Sequence, residues 1–344
     1  MKIAIIGAGF YGCFLAKEFL KNNIVHIYEK ECEIFPKQSA ILNNQHRLHN
    51  GFHYPRSFET IEQAIRCYIP FFDEFKKYCY IPNNNIYLIH KNSKVNFDEY
   101  LKIYKNYNIC FEEINLDKIK KLKNKEQFDG AIRVGEGIID THEIKKFFEK
   151  IIYKNSNLKI FFNKTINECD IEKMKDQYDV LLNCSYNHCN IGLKKKFNIK
   201  HELCSLLLIK NFSSKNDAYT IMDGEFVSIY PTLLNYHTIS SVTETPFLKS
   251  KSVDIKMTYQ DLYNHYIEHN VKERIIEHTK KFIEFKEDDV FGQYLTIKTK
   301  FNNDVKDRRR NTLIKTEDNY SSVLCGKISA VYDVLSEIKK QFNL

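Results

Sequence analysis

Tryptophan is absent from the 344 residues, and several patterns that would define a function class are missing with it. Ten cysteines are scattered without a CxxC pair, which argues against zinc-ribbon or thioredoxin-type chemistry. No HExxH, Walker or GxSxG motif occurs, so no metal site is expected. No apolar run approaches the roughly 18–20 residues needed to span a bilayer. The opening "MKIAIIGAG" reads as a strand and turn, not as a signal peptide. Free thiols in a reducing cytoplasm are the expectation. There is no internal repeat and no long linker. The net charge of +8 favours anionic ligands but does not define a nucleic-acid binder.

What is present is an ordinary globular composition, 43% hydrophobic and 28% charged. The length suits one large or two interleaved domains. The densest basic run is Arg308-Arg309-Arg310, with Lys306 before it. It reads either as a solvated turn or as an anion site.

The strongest signal is "KIAIIGAGFYGCFLAKEFLKNNIVHIYEK". Ile3 to Ile6 form a continuous apolar run, as a buried parallel strand does. Gly7, Gly9 and Gly12 follow in GxGxxG spacing. Phe14, Leu15, Phe19 and Leu20 recur at helical spacing. Ile24 to Tyr28 form a second strand, closed by Glu29. In this motif the first glycine makes the tight turn, the second lets the backbone approach a pyrophosphate, and the third lets helix and strand pack closely. The helix N-terminus offers N–H groups to phosphate. An acid at Glu29 suits a ribose diol and disfavours a 2′-phosphate, so FAD or NAD fits better than NADP. No second GxGxxG exists, since Gly135 and Gly137 are only a GxG in a turn. A built-in NAD(P)H site is therefore not indicated.

Residues 43–56, "NNQHRLHNGFHYPR", hold three histidines, two arginines and three asparagines. Arg47 is a fit partner for a pyrophosphate. Gly51 permits close backbone approach to a flat ligand, and Tyr54-Pro55 stiffens the exit. Together with "IAIIGAGFYG", "IYEK", "EGIIDTHEI", "SSVTETP" and "VLCGKISAVYDVL", this segment resembles the FAD-dependent oxidoreductases of the D-amino-acid oxidase superfamily. More narrowly, it is similar to bacterial members found with surface-polysaccharide genes. The resemblance implies noncovalent FAD. Its contacts would include Gly7, Gly9, Phe10, Tyr11, Gly12, Glu29 and Lys30. Ser39, Asn43, Asn44 and Arg47 would lie along the cofactor, with His49, Gly51 and His53 near the ring. It further implies contacts from Cys184 and Ser185, although "NCS" departs here from the family's "ATG". At the far end it implies Gly326, Lys327 and Ile328, where a helix opening at Lys327-Ile328 would face the flavin pyrimidine edge.

The expected fold class is α/β: a Rossmann-like FAD-binding domain of glutathione-reductase type, interleaved with an α+β substrate or cap domain carrying an antiparallel sheet. The expected boundaries are 1–60, 130–200 and 300–344 for the first, and 61–129 and 201–299 for the second. Within the second, residues 59–79 read as a helix whose apolar face is Ile65, Ile69, Phe72 and Phe75.

Such a protein would oxidise a C–N or C–O bond of a small polar or anionic substrate, an amino acid, amine or sugar derivative, by hydride transfer to flavin. Oxygen, a quinone or another protein would reoxidise it. The alternative is a non-redox flavoenzyme acting on a nucleotide-sugar, mutase-like, in surface-polysaccharide biosynthesis. His53 is the candidate base near neutral pH. Tyr54 and Arg56 stand beside it, and Arg56 or Arg308 could hold a substrate anion. Tyr230 is a weaker candidate from the cap sheet.

Overall fold

The structure, a computed structural model, describes residues 1–250, 257–302 and 312–344. Arg308, Arg309 and Arg310 lie outside the described residues, and so does the anion role expected of Arg308. Among the described residues, six strands form one sheet in the order Leu313–Glu317, Tyr320–Leu324, Val180–Asn183, Lys2–Ile6, Ile24–Tyr28, Leu158–Phe161. The first pair is antiparallel and the rest parallel. The near-continuous apolar strands follow from burial on both faces. Ile3, Ile5, Val180 and Leu182 point into one core, and Ala4 and Leu181 into another. Helices Phe10–Phe19 and Thr141–Ile152 cover the first face, and helix Glu168–Lys175 lies on the second. Asp140 starts helix Thr141–Ile152, its carboxylate accepting from the Glu143 N–H at 2.9 Å.

A sheet of nine strands among the described residues makes the other layer. It is antiparallel as expected, except that Asn84–His90 and Asp217–Met222 run parallel. That pairing joins strands from opposite ends of the interleaved region. The strands alternate: Ile86 and Leu88 face helices Tyr259–Glu268 and Val271–Lys280, while Tyr87 and Ile89 face Phe52 and helix Phe97–Asn106. Between the two large sheets lies a small one, Arg47–Leu48, Gly137–Ile139 and Cys79–Tyr80. The polar segment 43–56 is therefore anchored to the fold by a two-residue strand, Arg47–Leu48, with turns and irregular chain on either side.

Three expectations are corrected. Helix Phe58–Phe75 buries Ile61, Ala64, Cys67, Phe71 and Phe75, while Ile69 is 62% exposed. Several apolar stripes were available on this helix. Packing against the first helix and the C-terminal one selected the stripe that carries Phe71. That helix, assigned mainly to the cap, thus contributes to the core of the parallel sheet. Conversely, strand Phe128–Val134 belongs to the large sheet, paired with Asn84–His90, although the boundary at 130 gave most of it to the cofactor domain.

Candidate functional site

The first glycine-rich turn closes tightly. Gly7 has φ +98°, and a Cβ there would meet the Cys184 carbonyl oxygen at 3.0 Å. A Cβ on Gly12 would stand 1.9 Å from the Gly7 carbonyl oxygen. Among the described residues, a Cβ at Gly9 would meet nothing within 4 Å, and no side chain caps the helix that Gly9 begins. Two glycines are therefore spent on the chain's own packing, and one leaves a helix N-terminus open to a ligand. Glu29 sits at the end of the second strand, accepting from the N–H groups of Ala8 (2.7 Å) and Glu31 (3.0 Å). Burial raises its pKa, and these two N–H groups oppose the rise.

The neighbours of this turn differ in what they expose. Phe10 packs among Phe14, Phe35, Phe71, Phe75 and Phe148, so only its backbone remains at the helix start. Lys30 is half exposed and lies 3.6 Å from Glu31. Asn43 spans the following loop, donating to the carbonyls of Lys37 (2.6 Å) and Ser39 (2.9 Å). Asn44 donates to the Ala40 carbonyl and accepts from the His46 N–H. Ser185 turns its hydroxyl to the Asn183 side chain at 2.6 Å. These polar groups shape the loops that border the turn.

The distant C-terminal segment closes onto the same place. The Tyr11 hydroxyl donates to the Lys327 carbonyl. Lys327 is buried, with Nζ 3.5 Å from the Thr60 carbonyl and 4.3 Å from the centre of the Tyr54 ring. Gly326 donates its N–H to the Thr312 hydroxyl at 2.9 Å. The C-terminal helix runs Val331–Phe342 and does not open at Lys327-Ile328 as expected. The Lys327 carbonyl, which a helix would need for the Val331 N–H, is taken by Tyr11. Val331 turns instead to Ile328, at 3.3 Å. The result is a turn at 325–330 between strand and helix, with the Lys327 side chain directed at the histidine segment.

That segment brings two imidazoles and a phenol together. His49 and His53 lie with ring centres 5.2 Å apart, and Tyr54 is 5.5 and 5.3 Å from them. Gly51, at φ +104°, makes the turn between them. Arg56 is engaged with Asp223, as an ion pair from Nε and a 3.4 Å contact from its second nitrogen. The guanidinium expected to hold a substrate anion is thus paired with a carboxylate of the protein.

Beneath this segment is a residue that the sequence reading passed over. Glu136 is fully buried. It accepts from the Asn50 N–H at 2.7 Å and the Tyr87 hydroxyl at 2.6 Å, and lies 3.4 Å from Arg47 and 3.5 Å from His49. The Arg47 guanidinium, expected at a pyrophosphate, is enclosed here, 4.3 Å from the Tyr230 ring centre and bonded to Tyr87. Asn85 completes the cluster by donating to Tyr230 at 2.7 Å and to the Glu136 carbonyl at 3.1 Å. Burial favours a neutral Glu136, but His49, Arg47 and the Tyr87 hydroxyl hold it down, at about 2. Burial pushes His49 the other way, to about 4, with Glu136 opposing the fall. Near neutral pH the cluster is therefore a carboxylate and a guanidinium with a neutral imidazole alongside. Only an acid between two glycines, Gly135 and Gly137, marked Glu136 in the sequence.

A pH dependence follows. Burial also pushes His46 down to about 4. Both histidines titrate near 6.5 when unfolded. Between about pH 6.5 and 4 the unfolded chain therefore binds more protons, and stability falls as the pH falls, by about 1.4 kcal/mol per pH unit for each histidine. Urea midpoints measured from about pH 7 to 4.5 should drop accordingly, and His49→Gln should flatten the slope. A flat wild-type curve would mean that both rings are protonated in the folded state.

No protein-family model matches the chain. A curated relative, the FAD-dependent monooxygenase FPY4 of Fusarium mangiferae, is 25% identical over 342 residues, covering 96% of this chain and 88% of its own. Among solved structures, FAD-bound L-α-glycerophosphate oxidase from Mycoplasma pneumoniae superposes with a TM-score of 0.70 at 14% identity, over 100% of this chain and 94% of that one. Glycine oxidase from Geobacillus kaustophilus gives 0.66 at 10% identity, over 99% and 93%. The structural likeness is one of fold, and it agrees with the Rossmann-like cofactor layer plus substrate layer expected from sequence. The surface-polysaccharide association has no counterpart among these three.

Proposed function

We propose that the chain is an FAD-dependent oxidoreductase whose substrate binds beside the His49–His53–Tyr54 segment. The observation that carries this is one convergence: the open N-terminus at Gly9, the buried Lys327 turn tied to it through Tyr11, and the His49–His53–Tyr54 segment under Lys327. The residues fit a dinucleotide. Gly9 leaves room for a pyrophosphate, Glu29 stands where a ribose would be, and the Lys327 ammonium suits the anionic edge of a reduced ring. Burial raises the Cys325 thiol, which makes it a poor nucleophile and supports noncovalent attachment. FAD held there supplies a hydride acceptor for a substrate C–H bond.

The chain's own residues do the rest. Glu136 and the Asn50 backbone fix the segment that carries His49. His53 removes the proton from a substrate hydroxyl or ammonium. Arg56, oriented by Asp223, and Tyr54 position a small polar substrate. The parallel-sheet layer would serve the cofactor and the nine-stranded layer the substrate.

An absorption spectrum tests the reading first. Purified protein should show flavin bands that pass into the supernatant on denaturation. His53→Ala should keep the bands and slow anaerobic reduction by substrate about 100-fold or more, the usual contribution of a positioned base. A colourless protein that takes up no added FAD would overturn the cofactor, and unchanged reduction kinetics would remove His53.

A further inference from the structure

On the far side of the large sheet from the histidine segment, helix Tyr259–Glu268 ends in "HYIEH", residues 265–269. His265, Glu268 and His269 are spaced i, i+3 and i+4, so all three project from one face of the helix. One ligand-type atom from each lies within 4.8 Å of the others. We infer that this face is a binding site for a transition-metal dication of zinc type, with two imidazoles and one carboxylate as ligands and water completing the shell.

Four observations support it. His265 Nδ1 and a Glu268 oxygen are 3.2 Å apart. With metal–ligand bonds of about 2.0–2.2 Å, the edge of a tetrahedral site is close to that length. The His269 Nδ1 lies 2.9 Å from the His265 carbonyl oxygen. A carbonyl can only accept, so Nδ1 carries the proton and Nε2 keeps its lone pair. Such a bond from one ring nitrogen to a backbone carbonyl is what fixes the tautomer of metal-ligating histidines. The site occupies the last turn of the helix, with His269 as its C-cap, where the helix dipole presents partial negative charge to a cation. Finally, the two histidines are part-buried and Glu268 is exposed, so the side chains are supported yet open to solvent.

The donor set selects the ion. Two imidazoles and one carboxylate suit zinc, nickel or copper ions better than magnesium or calcium, which prefer all-oxygen shells. Searches for paired cysteines or HExxH spacing pass over the set, because its ligands follow the order His-x-x-Glu-His. Binding here links two turns of a helix that covers the core of the large sheet, opposite the face that carries Tyr87, so its effect is on this layer's stability and not on the chemistry at His53.

The test uses the full chain with its cofactor. Titration with zinc chloride should show one equivalent that is lost, with affinity at least ~100-fold weaker, in His265→Ala/His269→Ala, beyond the ~10–100-fold typical of an outer-shell partner. Cobalt substituted at the site should give visible bands without the near-ultraviolet charge transfer that a cysteine ligand produces. Zinc should raise the melting temperature of the wild type and not of the double variant, whose circular dichroism should match the wild type before metal is added. Equal binding by both chains would assign the zinc to cysteines and overturn the site, as would absence of binding to the wild type.

Discussion

Glu136→Ala should destabilise the protein by about 3–5 kcal/mol, because it leaves the Arg47 guanidinium charged, buried and without its carboxylate. The loss extends beyond the ion pair. Asn50 N–H and the Tyr87 hydroxyl lose their acceptor, and an unsatisfied buried donor is costly in its own right. The comparison that isolates the pair is Glu136→Leu with Arg47→Met. Replacing a buried ion pair by apolar side chains of similar volume is often close to neutral, so the double variant should recover most of what Glu136→Leu alone loses. Urea unfolding of the four chains, read as a double-mutant cycle, measures this. A cost below about 1 kcal/mol for Glu136→Ala would show that water reaches Arg47 and that the cluster is not closed. The cluster also holds His49, so folded Glu136→Gln should slow substrate reduction while retaining FAD.

Gly12→Ala should cost about 3 kcal/mol or more, toward the upper end of overpacking effects. The added methyl would meet backbone, the Gly7 carbonyl, and could not be relieved by a rotamer change. Helix Phe10–Phe19 would have to move off the strand it crosses, and its phenylalanines anchor the core on that face of the sheet. Gly9→Ala makes the contrast. Its methyl points into open space, and its φ of −73° suits any residue. The apo protein should unfold within about 0.5 kcal/mol of the wild type. FAD uptake should nevertheless weaken about tenfold, the equivalent of ~1.4 kcal/mol for one displaced phosphate contact. Thermal melts without FAD separate the two variants, and flavin fluorescence quenching on titration gives the affinity. Gly9→Ala with unchanged uptake would remove Gly9 from the phosphate site.

These two glycines show how far local sequence carries. Their spacing, the apolar run before them and the helical period after them were legible because each is a short-range pattern with one good structural solution. The face of helix Phe58–Phe75 was not. Ile69 and Phe71 are both apolar, and only the neighbouring helices decide which is buried. The start of the C-terminal helix was likewise set from outside, by the Tyr11 hydroxyl reaching across the fold to the Lys327 carbonyl.

The polar segment 43–56 lies between these cases. Its residue types marked it as functional, and His49, His53 and Tyr54 do assemble, with the Lys327 ammonium over the Tyr54 ring. The partners of its arginines come from far along the chain: Glu136 for Arg47 and Asp223 for Arg56. Nothing local to either arginine distinguishes a ligand-binding role from a buried pairing, since a guanidinium serves both with the same geometry. The sequence by itself determined the parallel βαβ opening and the glycine spacing that shapes its first turn. Tertiary structure alone decided how the charges of segment 43–56 are paired, because burying a charge demands a partner, and the partner is chosen by whichever strand the sheets bring alongside.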